Sequence, residues 1–299
     1  MSQLIECIPN FSEGRNDDII KALVSVATSI PAVILVDYSS DSSHNRSVFT
    51  LVGSPEGIEE VAFALSKKAN ELIDLTKHSG EHPRMGAVDV IPFVPVKDSN
   101  MEQCVEISKR VAERIGKELE IPVFLYEESA SAAGRKNLAV VRRGGFEGMG
   151  EKLQKPEWTP DFGPSKPHPT AGVVAVGARA PLIAFNVNLS TSDLEIANKI
   201  AKIVRASGGG FKCCKGIGVM LEDRNIAQVS MNMVDYEVTP LYRVFELIKI
   251  EAARYGVTVT GSELIGLAPA KALIDCTEYY LKIEDFDYKK QVLENHLFV

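Results

Sequence analysis

The chain has 299 residues, 45% of them hydrophobic, and a formal net charge of −7. That is enough apolar material for a large core in two units, and the acid excess argues against a general nucleic-acid binder, which would be basic. The cysteines Cys7, Cys104, Cys213, Cys214 and Cys276 are odd in number and contain no CxxC, so neither a disulfide framework nor a zinc site is indicated. The N-terminus lacks a basic and apolar leader and no apolar run reaches membrane-spanning length, so a cytoplasmic location is expected.

Residues 4–8 predict a short strand. Residues 17–29 predict a helix, with Ile19, Leu23, Val26 and Ala27 at helical spacing. Strands are expected at 32–37 and 48–52. Pro55 stands at the first turn of a helix continuing through 56–75, and 88–94 predicts the next strand. That is β-α-β-β-α-β, the ferredoxin-like order. A helix at 101–118 and a strand at 123–126 extend the sheet.

The second half repeats the order. A strand at 182–188 precedes a helix at 192–205, with Ser192 as N-cap and Glu195 completing a capping box. Strands follow at 216–221 and 226–234, the latter alternating Ala227, Val229, Met231 and Met233 against Gln228, Ser230 and Asn232. A helix at 240–255, a strand at 257–260 and a last helix from near Pro269 complete it. The fold class is α/β: two ferredoxin-like subdomains, 1–180 and 181–299, each a mixed β-sheet with helices on its outer face.

Residues 142–177 are rich in Gly, Pro and charge and read as an irregular segment between the halves. Irregular segments this long are functional or disordered. Trp158 and Phe162 weigh against a bare linker, because aromatic residues seek burial.

Residues 78–86 hold two of the five histidines, an Arg, an acid and two Gly ahead of an apolar run. His82 precedes Pro83, which keeps its backbone extended. Histidine exchanges a proton near neutral pH, and a stiffened loop before a buried strand is how a scaffold presents an acid or base. The alternative is a polar loop whose histidines face solvent. The run from His78 to His82 lacks the HExxH spacing of a zinc protease. Arg84 suits a bidentate grip on a substrate carboxylate or, equally, an ion pair with Glu81 or Asp89. Asp37 and Asp41 flank Ser39, and Asp37 reads equally as a turn residue. Gly208, Gly209 and Gly210 with Lys212 and Lys215 lack the spacing of a phosphate loop and predict a mobile loop.

The run GEHPRMGAVDVIPFVP at 80–95 resembles the signature of the formiminotransferase domain, known as glutamate formiminotransferase. So do IECIPNFSEGR at 5–15, NRSVFT at 45–50, PEWTPDFGP at 156–164, AFNVNL at 184–189, GSELIGL at 261–267 and AKAL at 270–273. The likeness runs nearly end to end. It implies transfer of a formimino group from N-formimino-L-glutamate to N5 of tetrahydrofolate, giving 5-formimidoyltetrahydrofolate and L-glutamate in histidine degradation. Tetrahydrofolate is then a co-substrate, and no metal is needed.

The same resemblance implies His82 as general acid/base. It implies a folate site at Gly163, Pro164, Ser165, Lys166, Pro167, His168, Pro169, Thr170, Ala171 and Gly172, in a cleft between the subdomains. Lys166 and His168 are expected to meet the glutamyl carboxylates, with Trp158 nearby. A homodimer acting on small molecules is implied, with neither nucleic acid nor membrane as partner. The cyclodeaminase to which the domain is fused elsewhere is then expected from another protein. Formyl transfer from N-formylglutamate and a non-catalytic folate-binding module are the alternatives.

Overall fold

A computed structural model describes residues 3–80 and 83–296 and divides the chain into two compact units, Met1–Arg179 and Ala180–Val299. In the first unit, β1 (Leu4–Cys7), β2 (Asn10–Phe11), β3 (Val33–Asp41), β4 (Arg46–Gly53), β5 (Val88–Lys97), β6 (Val123–Glu127) and β7 (Val174–Ala178) form one seven-stranded sheet. β1 and β2 are two pieces of one line, each paired antiparallel with β4 and β5. Pro9, which has no N–H for a ladder, stands at the break. β3 pairs antiparallel with β4, whereas β5, β7 and β6 run parallel, so this sheet is mixed.

Three helices cover one face: α1 (Asp17–Ala27), α2 (Pro55–Leu72) and α3 (Met101–Glu118). Each starts on a side chain suited to the task. Asn16 accepts from the amides of Asp18 and Ile19, Ser54 accepts from Gly57, and Asn100 forms a capping box with Gln103. Along β4, Phe49 and Leu51 are buried beneath these helices while Arg46, Val48, Thr50 and Val52 take the opposite face.

Residues 142–177 do not form an irregular link between the halves. They belong to the first unit, where α4 (Leu138–Arg142), α5 (Gly145–Lys152) and β7 are built. Val174 and Val176 of β7 join the core shared with α2 and α3. Val173 and Ala175 join a second core with Phe124, Tyr126, Val141 and Met149. Helices therefore pack on both faces here, not on one outer face alone. A parallel strand covered on both sides reads as a plain apolar run, without alternation.

Trp158 also sits in this second core, edge-on to Phe124 with ring centroids 5.8 Å apart, and the Lys152 ammonium lies 3.8 Å from its ring centroid. Lys152 Nζ donates to the carbonyls of Val140 (2.9 Å), Val141 (2.5 Å) and Arg143 (3.1 Å), satisfying the end of α4.

In the second unit β8 (Ile183–Leu189), β9 (Cys214–Leu221), β10 (Ile226–Met233) and β11 (Val259–Ile265) form a sheet in the order β11-β8-β10-β9. Every pairing is antiparallel, which corrects the mixed sheet expected for this half. α6 (Leu194–Val204) joins β8 to β9 around β10, and α7 (Leu241–Ala253) joins β10 to β11 around β8. Strands linked by a helix are parallel but never adjacent. The cap of α6 is Asp193, not Ser192: its carboxylate accepts from the Glu195 amide at 2.8 Å. β11 begins later than expected, at Val259. α8 (Ala270–Leu281) starts directly after Pro269. Among the described residues no helix is long and apolar enough to cross a membrane.

Candidate functional site

The loop at 78–86 is anchored on both sides of His82, which itself lies, with Glu81, outside the described residues. On the near side, Asn45 is the main support. Its side chain accepts from the Gly14 amide at 2.9 Å and donates to the Ser79 carbonyl at 3.0 Å, and its own carbonyl accepts from His78 Nε2 at 2.9 Å. Asn45 takes a left-handed backbone (φ 49°) that Asn tolerates better than most residues. A Cβ on Gly80 would stand 2.4 Å from the His44 carbonyl, so backbone packs directly on backbone.

The far side is held by Arg84, whose Nε donates to His78 Nδ1 at 3.0 Å. Guanidinium only donates, so Nδ1 accepts and the ring hydrogen sits on Nε2, facing Asn45. Both ring nitrogens of His78 are thus used to shape the loop. Arg84 also grips Glu147 of α5 bidentately, at 3.1 and 2.7 Å, and this bond holds the Glu147 carboxyl below its ordinary pKa. Among the described residues its acidic partner is Glu147 and not Asp89, and a substrate carboxylate would have to displace it; the alternative partner Glu81 lies outside the described residues. Asp89 accepts from the Met85 amide at 2.7 Å and from Arg142 at 2.5 Å.

The expected folate stretch lies alongside this loop. The Ala87 amide donates to the Ala171 carbonyl at 2.9 Å and the Val173 amide to the Met85 carbonyl at 3.0 Å, with Gly86 and Gly172 bridged. Gly163 and Gly172 both have positive φ, and a Cβ there would stand 2.6 Å from the Ile121 carbonyl and 2.2 Å from the Met85 carbonyl. Both ends of the stretch are thus fixed by contact with the protein's own backbone. Ser165, Lys166 and Pro169 are exposed, Pro164, Pro167, His168 and Thr170 half-buried, and Ala171 buried.

His168 pairs its backbone with Gly172, and its Nδ1 accepts from the Ala171 amide at 3.0 Å. Burial lowers its pKa below the ordinary histidine value, with Glu120 opposing. It is therefore uncharged at neutral pH and holds the turn, rather than offering a cation to a carboxylate. Trp158 is committed to the second core. Asp161 supports the approach to the stretch, accepting from the Leu125 amide at 2.8 Å and pairing with Arg135 at 3.0 Å.

Sequence reasoning gave no individual roles to residues 10–15 and 45–46, although both segments carried the family resemblance. The structure brings them to this loop. Ser12 Oγ donates to the Gly86 carbonyl at 2.7 Å, Arg15 Nε donates to the Ser42 carbonyl at 2.7 Å, and Arg46 donates to Asn10. Beside them an open groove of about 560 Å³ is lined by Arg15, Asn16, Asp18, Asn45, Lys77 and Ser79. Asp37 and Ser39 are exposed on β3, while Asp41 binds the backbone and ring of His44, which lowers its pKa.

Within the second unit, Asn188, Gln228 and Glu263 form a polar row on the face opposite α6 and α7. Gln228 donates to Asn188 at 2.7 Å and to Glu263 at 3.1 Å, and Arg224 pairs with Glu263 at 2.9 Å. Gly208, Gly209 and Gly210 follow the C-terminal end of α6, where the helix dipole disfavours a phosphate. Among the described residues no group of three or more His, Cys, Asp or Glu side chains is placed to hold a metal ion.

Residues 4–179 match the family described as the formiminotransferase domain, N-terminal subdomain, and 184–296 match the formiminotransferase domain. The chain is 68% identical over 297 residues to a glutamate formimidoyltransferase of Streptococcus pyogenes serotype M1, covering 99% of each. It is 47% identical to a glutamate formimidoyltransferase of Thermoplasma acidophilum, over 95% of this chain and 94% of that one. It is 46% identical to a formimidoyltransferase-cyclodeaminase of Mus musculus, over 94% of this chain and 53% of that protein. With both parts matched and relatives aligned along nearly its whole length, the chain belongs to the formiminotransferase domain family.

Proposed function

We infer that this protein transfers the formimino group of N-formimino-L-glutamate to N5 of tetrahydrofolate, releasing L-glutamate, as a step of histidine degradation. The observation that carries this reading is the 68% identity, end to end, to a glutamate formimidoyltransferase. In the reaction a bond forms between N5 and the formimino carbon, and the bond from that carbon to the glutamate nitrogen breaks. N5 loses a proton and the departing nitrogen gains one. One imidazole can take the first and deliver the second, because its unperturbed pKa lies near neutrality.

His82 is assigned this relay. The support is positional: residues 78–80 are held on Asn45 and residues 84–86 on Glu147, Asp89 and Gly172. Such anchoring lets a loop present a side chain in a fixed place. Tetrahydrofolate is placed along 163–172, a reading supported by the hydrogen bonds that join 171–173 to 85–87. The enzyme is read as a cytoplasmic homodimer.

The test is an assay with tetrahydrofolate and either formiminoglutamate or formylglutamate. Turnover is expected with formiminoglutamate. His82→Ala should lower it roughly 10²–10⁴-fold while leaving folate affinity nearly unchanged. Near-normal turnover in that variant removes His82 from the relay. Turnover with the formyl donor alone moves the reaction to formyl transfer, and folate binding without turnover of either donor leaves a binding module.

A further inference from the structure

We propose that Arg46 and Arg142 form a carboxylate receptor on the first sheet, on the face opposite α1, α2 and α3, and that it takes a carboxylate of the glutamyl donor. This deepens the transfer reaction inferred above and rests on it. Arg46 opens β4 and reaches Asn10 of β2, while Arg142 closes α4 and reaches Asp89 of β5. β2 lies between β4 and β5, with Asn10 opposite both Val48 and Val90, so the two guanidinium groups converge over neighbouring strands.

Among the described residues the local charge is out of balance. Two cations face Asp89, which also accepts from the Met85 amide. Among the described residues the other acid acting on Arg46 is Asp41, which is bound to His44. Among the described residues Arg46 has a neutral amide as its hydrogen-bond partner, and the Nε atoms of both arginines are buried without one. Burial and the charge of Arg142 both depress the pKa of Arg46. Holding two partly desolvated cations together is costly, and an anionic ligand offsets that cost. Planar guanidinium groups match a carboxylate in a fixed, bidentate geometry. Arg84, which from the sequence suited a substrate carboxylate or an ion pair equally, is taken by Glu147.

Position favours the donor over the folate tail. Arg46 follows Asn45, which holds Ser79, and Asp89 holds Met85, so both arginines are tied to the two ends of the 78–86 loop. In the donor the α-carboxylate is one carbon from the nitrogen that leaves, so it must lie close to the proton relay. The glutamyl tail of folate is separated from N5 by the whole aminobenzoyl group.

The experiment compares wild type, Arg46→Gln, Arg46→Lys and the paired Arg142→Gln/Asp89→Asn protein, which avoids stranding Asp89. Calorimetric titration with glutarate reads the receptor without turnover. Steady-state kinetics read KM for formiminoglutamate and for mono- and polyglutamyl tetrahydrofolate. Loss of one charged hydrogen-bonding group should raise the glutarate Kd and donor KM roughly 10–100-fold, while folate KM stays within about twofold. Arg46→Lys, which keeps the charge, should recover part of the loss and separates a binding defect from a folding defect. Unchanged glutarate Kd and donor KM in folded Arg46→Gln would reduce the pair to an internal charge cluster. A rise confined to polyglutamyl folate would overturn the donor assignment in favour of the tail. Wild type that binds glutarate but turns over no donor would count against the transfer reaction, not the receptor.

Discussion

The side-chain amide of Asn45 donates to the backbone carbonyl of Ser79 at 3.0 Å, so the turn between β3 and β4 holds the loop that leads to His82. The same side chain accepts from Gly14, which ties in the segment running from β2 to α1. The described parts of this loop are thereby fixed to the rim of a rigid sheet, where small displacements are resisted.

Asn45→Ala removes both side-chain bonds, leaving the buried Gly14 amide without its partner and releasing the exposed Ser79 carbonyl. It should cost about 1–3 kcal/mol of stability and lower kcat roughly 10²-fold through misplacement of the loop. Urea unfolding and steady-state kinetics check the two effects. Wild-type kcat in a folded variant would show that Asn45 does not position the reacting groups.

The β-α-β-β-α-β order of both halves was legible because amphipathic spacing and helix caps are local signals, and α3 was placed at 101–118 on that basis. β7 was not legible. Its partners β5 and β6 lie much earlier in the chain, it is buried on both faces, and a Gly- and Pro-rich run precedes it. The site divides in the same way. The 78–86 loop stood out by composition, yet His78 and Arg84 proved to be anchors because of Asn45 and Glu147, 33 and 63 residues away in sequence. Separations of that size leave no periodic trace in one sequence.

Gly172 is required by the protein itself. Its φ is +68°, and an added Cβ would stand 2.2 Å from the Met85 carbonyl. Gly172→Ala should cost at least about 2–4 kcal/mol, combining backbone strain with displacement of the 85–87 loop. Gly150→Ala in α5, where nothing lies within 4 Å of the new Cβ, is the control and should be neutral or stabilising by about 0.5–1 kcal/mol. Equal melting temperatures for the two variants would refute the close-packing explanation.

His168 supplies a pH dependence of stability. Burial lowers its folded pKa below the ordinary value of 6.5. Its contribution is therefore fully present above that value. It is lost as pH falls toward the folded pKa, because the unfolded chain takes up the proton first. Asp41, also lowered, titrates below 3.8 and acts in a separate, more acid window. Urea midpoints at pH 7.5 and pH 5 should fall more in wild type than in His168→Gln, whose amide oxygen can still accept from Ala171. Parallel declines in the two proteins would exclude His168 as the source.

With His168 uncharged at neutral pH, Lys166 is the cation of the 163–172 stretch, and it is exposed. If the stretch carries folate, this ammonium is the group that meets an anionic polyglutamyl tail. An exposed charge contact is modest, so Lys166→Ala should weaken polyglutamyl tetrahydrofolate by roughly two- to fivefold at low salt. Monoglutamyl tetrahydrofolate should be affected less, and the difference should shrink as salt shortens the screening length. Fluorescence titration of both folates at two ionic strengths separates this from a packing role. An equal, salt-independent loss for both forms would show that Lys166 acts through the loop's conformation and not through its charge.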